Sequence, residues 1–141
     1  MKKLECITSS DGSKEWWFNG KRHRENGPAI EWQDGTKHWY LNDKYHRENG
    51  PAVEWPDGYK RWYLDGKLHR ENGPAIEYQD GSKVWYLNGK LHREDGPAFE
   101  WQDGTKHWYF DNKEITLETK SKNPKVKILQ KLMEIQRIME S

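Results

Sequence analysis

The chain has 141 residues, 33% of them hydrophobic and 33% charged, with a formal net charge of +1. That balance excludes a thick core of aliphatic side chains, and it excludes a field strong enough to recruit polyanions or an anionic membrane by charge alone. Nine tryptophans and seven tyrosines supply most of the apolar surface, so aromatic packing has to hold the fold together, and the single cysteine, Cys6, rules out an intramolecular disulfide framework.

Residues 1–10, MKKLECITSS, lack the apolar run of about 7–15 residues that a signal peptide needs, and no segment approaches 18 consecutive apolar residues. The expectation is a protein of a reducing cytoplasm. By spacing, Cys6-Ile7-Thr8 aligns with Ala29-Ile30-Glu31 of the next unit, which predicts an N-terminal capping strand in residues 1–10.

From Asp11 onward the chain repeats every 23 residues, as the positions of His23, His46, His69 and His92 show. Four units occupy 11–33, 34–56, 57–79 and 80–102, and a half-unit, DGTKHWYFDNK, closes the repeat region at Lys113. Each unit holds two short β-type runs, such as PAIEW (28–32) and KHWYL (37–41), separated by Asp-Gly, a strong hairpin signal. A second break, Asn-Gly or Asp-Gly at 19–20, 65–66 and 88–89, ends the second run. The proline of Asn-Gly-Pro, lacking an N–H, suits the start of the next strand. The predicted fold is mainly β, an elongated antiparallel β-hairpin repeat array of single-sheet solenoid form with a C-terminal α-helix. About ten strands at roughly 4.7–4.9 Å spacing would make a ribbon some 45 Å long.

A two-residue turn at each Asp-Gly places Ile30 opposite Trp39 and puts Ile30, Trp32, Trp39 and Leu41 on one face. In that register eight of the nine tryptophans share a structural face. The opposite face collects Trp17, Tyr40, Tyr63, Tyr86 and Tyr109, together with a freely varying series, Glu15, His38, Arg61, Val84 and His107. Trp17, the four tyrosines, His38, Arg61 and His107 are therefore the candidate binding residues. Residues 114–122 read as a linker. Asn123-Pro124 is a helix-start signal, and Ile128, Leu132, Ile135 and Met139 then recur at helical spacing, so 123–141 reads as an amphipathic helix. It serves either as a lid on the last hairpin or as a docking element, which includes a homodimer contact.

The trio His-Arg-Glu in HRENGPA invites a chemical reading. Four copies with no unique neighbour to complete a site suit structure better: His23, His46, His69 and His92, with Arg24, Arg47, Arg70 and Arg93, read as a charged corner tying one hairpin to the next. The arginines can pair with the adjacent glutamates or with Glu31, Glu54, Glu77 and Glu100. Histidines on successive rungs do not converge as three or four metal ligands, so neither a metal nor another cofactor is expected.

The unit WYLNGKLHRENGPAIEYQDG resembles a MORN-type repeat, with Asn88-Gly89-Lys90, His92, Gly96 and Asp103-Gly104 at the matching places. It departs from that pattern in carrying Arg-Glu-Asn/Asp-Gly-Pro-Ala after the histidine. The longer phrase is similar to MORN-like repeats of tailed bacteriophages and large DNA viruses, and distantly to those of YwqK-type antitoxins. The resemblance covers residues 11–113 and implies a β-hairpin array that serves as an interaction surface, in some cases toward phospholipids.

The expectation is a non-enzymatic protein-binding scaffold, a phage accessory protein acting on a host protein in the host cytoplasm. Nucleic-acid binding through aromatics interleaved with Lys14, Lys37, Lys60, Lys83 and Lys106 is the main alternative, and membrane association through the Lys-rich helix follows it. No unique nucleophile, phosphate loop or carboxylate pair outside the repeat points to an enzyme.

Overall fold

The computed structural model describes residues 3–141. A leading strand β1 (Leu4–Thr8) pairs antiparallel with β2 (Lys14–Phe18), which turns into the short β3 (Lys21–Arg22). The next unit supplies β4 (Ile30–Glu31), β5 (Lys37–His38), β6 (Tyr40–Leu41) and β7 (Lys44–Tyr45). Its copies are β8 (Val53–Glu54) to β11 (Lys67–Leu68), with β9 (Lys60–Arg61) and β10 (Tyr63–Leu64) between, and β12 (Ile76–Glu77) to β15 (Lys90–Leu91), with β13 (Lys83–Val84) and β14 (Tyr86–Leu87) between. β16 (Phe99–Glu100), β17 (Lys106–Phe110) and β18 (Lys113–Ile115) end the array, and α1 (Pro124–Glu140) follows.

The main sheet has twelve strands in the order β1-β2-β4-β5-β8-β9-β12-β13-β16-β17-β18, with β3 beside β2. Hairpins β6-β7, β10-β11 and β14-β15 form three small sheets along its flank. The run 37–41 is shared between the two. Lys37 and His38 pair with β4 and β8, whereas Trp39 hands its carbonyl to His46 N (3.1 Å) and Tyr40 pairs with Tyr45. The flanking hairpins are themselves stitched together, for example by Arg24 N to Tyr40 O (3.1 Å) and Asp43 N to Arg22 O (2.9 Å). Where the run changes partners, Ala29 N–H donates to His38 O (2.8 Å) although Ile30 is the residue opposite His38, so two residues face one and the strand bulges. Ala29, Ala52, Ala75 and Ala98 are fully buried at this point. The bulge leaves room there for nothing larger than a methyl group.

The register corrects the expectation. Ile30 stands opposite His38, and Glu31 opposite Lys37, not Ile30 opposite Trp39. The Asp-Gly loop has three residues: Gly35 N–H donates to Trp32 O (3.0 Å), Trp32 N–H donates to Thr36 O (2.9 Å), and of Asp34 and Gly35 only the glycine has positive φ (97°). The Asp34 carboxylate decides this by accepting Thr36 N–H at 2.8 Å, which holds Asp34 in a turn and its pKa below the ordinary carboxylate range. Two-residue primed turns occur at the other break, where Asn19-Gly20, Asn42-Asp43, Asp65-Gly66, Asn88-Gly89 and Asp111-Asn112 all have positive φ.

The one-residue slip re-sorts the side chains. One face carries an unbroken cross-strand ladder, Lys14, Glu31, Lys37, Glu54, Lys60, Glu77, Lys83, Glu100, Lys106. Alternation places Trp16, Trp39, Trp62, Trp85 and Trp108 on this ladder face. The other face carries the row Ile7, Glu15, Ile30, His38, Val53, Arg61, Ile76, Val84, Phe99, His107, and with it Trp32, Trp55, Tyr78, Trp101 and the tyrosines. The tryptophans are thus divided between the faces.

At the C-terminal end, β18 extends into the segment expected to be a linker, and Ile115 joins Trp108, Val126 and Leu129 in a buried cluster bordered by Phe110, Leu132 and Met133. Asn123 caps α1 by accepting Lys125 N–H (2.9 Å), with Pro124 in the first turn. Gln130 pins the helix to the Thr116 and Thr119 carbonyls (3.0 and 2.7 Å). The rotation this sets buries Val126 and Leu129 and leaves Ile128, Ile135, Ile138 and Met139 exposed, so three of the four residues of the expected stripe, Ile128, Ile135 and Met139, face outward.

Candidate functional site

On the ladder face, each letter of HRENGPA has a physical task. The histidine Nδ1 accepts the backbone N–H that opens the next unit's primed turn: Asn42 to His23 (3.1 Å), Asp65 to His46 (3.0 Å), Asn88 to His69 (2.9 Å) and Asp111 to His92 (3.1 Å). That bond requires a neutral ring with the proton on Nε2, which faces Glu25, Glu48, Glu71 or Glu94 at 3.0–3.7 Å. The arginine guanidinium lies on a tryptophan, Arg24 on Trp16 and Arg47 on Trp39 at 3.8 Å, Arg70 on Trp62 and Arg93 on Trp85 at 3.9 Å. Its Nη1 also donates to the proline carbonyl four residues on (3.0–3.1 Å) and meets Glu31, Glu54, Glu77 or Glu100 at 3.0–3.5 Å. The glycine makes the space: a Cβ on Gly50 would stand 2.9 Å from Arg47 Cζ, and one on Gly96 2.7 Å from Arg93 Cζ.

Between successive loops lie equivalent open grooves. One of about 520 Å³ runs between residues 24–27 and 46–49, one of about 710 Å³ between 46–50 and 69–72, and one of about 540 Å³ between 70–73 and 92–95. Their polar walls are largely engaged, since each histidine Nδ1 and each guanidinium has a partner within the chain, and His92 Nε2 also meets Glu94 at 3.0 Å. Among the described residues, no three His, Cys, Asp or Glu side chains gather as a metal-ligating group.

At the fifth position the pattern changes. Trp108 has no arginine over it, and Val126 and Leu129 of α1 join it in the buried cluster. Lys125 reaches back to Glu94 (3.0 Å), and the His92 hydrogen bond followed by Lys125 holds Glu94 below the ordinary carboxylate range. Lys106 bonds to Glu140 at the helix's far end (3.2 Å).

The expected binding residues all lie on the other, aromatic face. Tyr40 stacks on Tyr45 (4.5 Å), and Tyr45 on Tyr63 (4.9 Å). Arg61 donates to the Tyr63 hydroxyl (3.1 Å), and Arg22 lies beside both Trp17 (5.2 Å) and Tyr40 (5.7 Å). Burial pushes Tyr40 and Tyr86 above the ordinary phenol range. His38 sits between Trp32 (4.6 Å) and Tyr45 (5.4 Å); burial, then the Arg22 charge, pushes it down to about 4, so it is neutral. His107 and Tyr109 flank Phe99 (6.2 and 5.6 Å), and His107 also meets Glu114 (3.3 Å). These side chains are half-buried, and Val84 of the variable series is fully buried.

The most exposed aromatic side chains on this face are ones that sequence reasoning placed on the structural side. Trp32, Trp55 and Trp101 stand at the hairpin tips, 38%, 47% and 36% exposed. Trp55, Tyr59, Tyr78 and Trp101 form a continuous strip with ring centroids 5.0, 5.5 and 6.2 Å apart. The signal that could have found them is Asp-Gly followed by Ser, Thr or Tyr, in which an Asp capping the residue two ahead lengthens the loop by one. No family model matches the chain, and no curated protein matches it.

Proposed function

We propose that the protein is a non-enzymatic scaffold that binds another protein through its aromatic face. The observation that carries this reading is a division of labour. One face spends the same His, Arg, Glu, Trp and Gly in every unit on holding the array together. The other presents tip aromatics around a series, Glu15, His38, Arg61, Val84 and His107, that differs from unit to unit on a fixed frame. The viral setting of similar repeats makes the partner of this proposal a host protein, met in the host cytoplasm.

A protein partner is favoured over nucleic acid because the five lysines that would meet phosphates lie on the opposite face from the tyrosines and tip tryptophans, beside tryptophans that arginines or α1 already cover. There they alternate rung by rung with glutamates. No helix among the described residues is long and apolar enough to cross a membrane. The exposed side of α1, with Ile128, Ile135, Ile138 and Met139, offers a second docking element within the same reading. Affinity purification from host lysate, run in parallel with wild type and a Trp32→Ser, Trp55→Ser, Trp101→Ser variant of unchanged circular dichroism, tests the proposal. The expected result is a stoichiometric partner held by the wild type and lost by the variant. Equal retention, or no partner, would count against it.

A further inference from the structure

We infer that the N-terminal strand β1 is a self-association edge that pairs with β1 of a second copy about a two-fold axis. The array contains its own control. Ile7 stands opposite Glu15 on one side of β2, just as Ile30 does on the other, so both occupy the same place in the repeat. Ile30, Val53 and Ile76, flanked by strands on both sides, are 3–5% exposed, whereas Ile7 is 52% exposed and every residue of β1 is exposed. What distinguishes them is the missing outer neighbour.

The main chain makes the same point. Ser9 N–H turns inward to Ser13 O (2.8 Å), and alternation in an antiparallel pair then turns the N–H and C=O of Leu4, Cys6 and Thr8 away from β2. Such an edge is a template for another strand. Little blunts this edge: β1 has five residues, no proline, no lysine, a regular register with β2 and a single charge, Glu5.

The occupant is a second copy because the two ends of the array differ. At the C-terminal end Trp108 and Ile115 are buried against α1, Glu140 is tied to Lys106, and the edge strand β18 is only three residues long with Lys113 in it, so that edge is the blunted one. An association using only the N-terminal edge is isologous and closes at two copies. Antiparallel pairing with full overlap of Leu4–Thr8 sets Leu4 opposite Thr8 and Cys6 opposite Cys6, and adds about six main-chain hydrogen bonds across the junction. The two Cys6 Cα atoms would then lie about 5.5 Å apart, inside the range of about 4.4–6.8 Å that a disulfide spans. Cys6 is free and exposed, so it reports the register without being needed for the contact. This assembly stands independently of the partner proposed for the aromatic face.

Sedimentation across a concentration series, with mild oxidation of Cys6, tests it. The expected result is a species of twice the 17.0 kDa chain mass and a cross-linked dimer on a denaturing gel. Thr8→Pro removes an outward N–H while leaving the β1–β2 bonds in place, and should abolish both signals with circular dichroism unchanged. If that variant misfolds, moving the thiol off the strand (Cys6→Ser with Glu118→Cys) decides: cross-linking at Cys6 should far outrun cross-linking at position 118, and equal cross-linking at both overturns the inference. A monomer at every concentration overturns the inference. So does a dimer that resists Thr8→Pro and is lost with Ile135→Lys on the helix, or a series of growing oligomers, which would mean head-to-tail stacking.

Discussion

Both faces of this sheet carry tryptophans, yet the two are stabilised differently. On the ladder face four of the five tryptophans are covered by an arginine whose charge is shared with a carbonyl and a glutamate, the fifth, Trp108, is covered by α1, and each histidine ties its unit to the next turn. On the aromatic face rings stack edge to edge or side by side, and the tip tryptophans keep a third or more of their surface in water. A single-layer sheet has no second sheet to bury its apolar side. This one substitutes guanidinium groups for the missing layer. The lesson is that an amphipathic cover, with an apolar plane and a wet edge, lets a chain of mean hydropathy −1.28 keep large aromatics on an open surface.

The comparison can be broken by exchanging losses between the faces. Trp62→Ala, which removes the plane beneath Arg70, is expected to cost about 3–4 kcal/mol in urea unfolding, whereas Trp55→Ser at an exposed tip should cost less than about 1 kcal/mol. Equal losses would erase the distinction. Leu129→Ala ranks next, at about 2–4 kcal/mol, because it opens the cover over Trp108 where no arginine stands in; scanning calorimetry should show the last hairpin melting ahead of the rest. Arg70→Lys follows. A lysine keeps the charge but not the plane, so a loss of about 1–2 kcal/mol in thermal denaturation is expected, while a neutral outcome would mean that charge alone matters.

Two smaller effects sharpen the contrast. His69→Ala leaves the Asn88 N–H without its acceptor and should cost about 1 kcal/mol, with hydrogen exchange quickened at the 88–89 turn more than elsewhere. The corresponding change at His23, His46 or His92 should behave alike. On the aromatic face His38 is held neutral, with its folded-state value near 4 against an ordinary 6.5. Between those values the unfolded chain binds more protons, so stability falls as pH drops from 6.5 toward 4 and levels off below. His38→Val, which copies Val84 of a later unit, should remove this part of the acid sensitivity. The test is the difference in melting temperature between wild type and variant, which should widen over that interval and stay constant above it.

Much of the candidate site was readable in the sequence. The period, the hairpin order, the helix start at Asn123-Pro124 and the pairing of arginines with Glu31, Glu54, Glu77 and Glu100 all rest on local signals repeated several times. Positions that every copy keeps make ties within the unit, as Arg47 does with Trp39, Pro51 and Glu54, or one tie to the next, as His46 does with Asp65. The aromatic face was half legible. Trp17, the tyrosines and the variable series were placed together, as they are found, but Trp32, Trp55 and Trp101 were assigned to the wrong side. A strand's side-chain period is two, so one residue more in the Asp-Gly loop sends an entire strand's side chains to the other face.

What the sequence determined by itself was the repeat, its punctuation and the identity of each tie, because these depend on backbone chemistry that is local to the unit: Gly at positive φ, Pro without an N–H, Asn before the helix. The sign of each face was local as well: of the two turn types that Asp-Gly permits, the Asp34 carboxylate reaching Thr36 N–H two residues on selects the three-residue loop. Tertiary structure alone decided the rest. The side of α1 that became buried followed from anchors 11 and 14 residues away, at the Thr119 and Thr116 carbonyls. The exposure of Ile7 depended on a strand that no part of the described chain supplies. In each case the deciding partner lies outside the segment it controls, and a local pattern carries no information about which distant group will arrive.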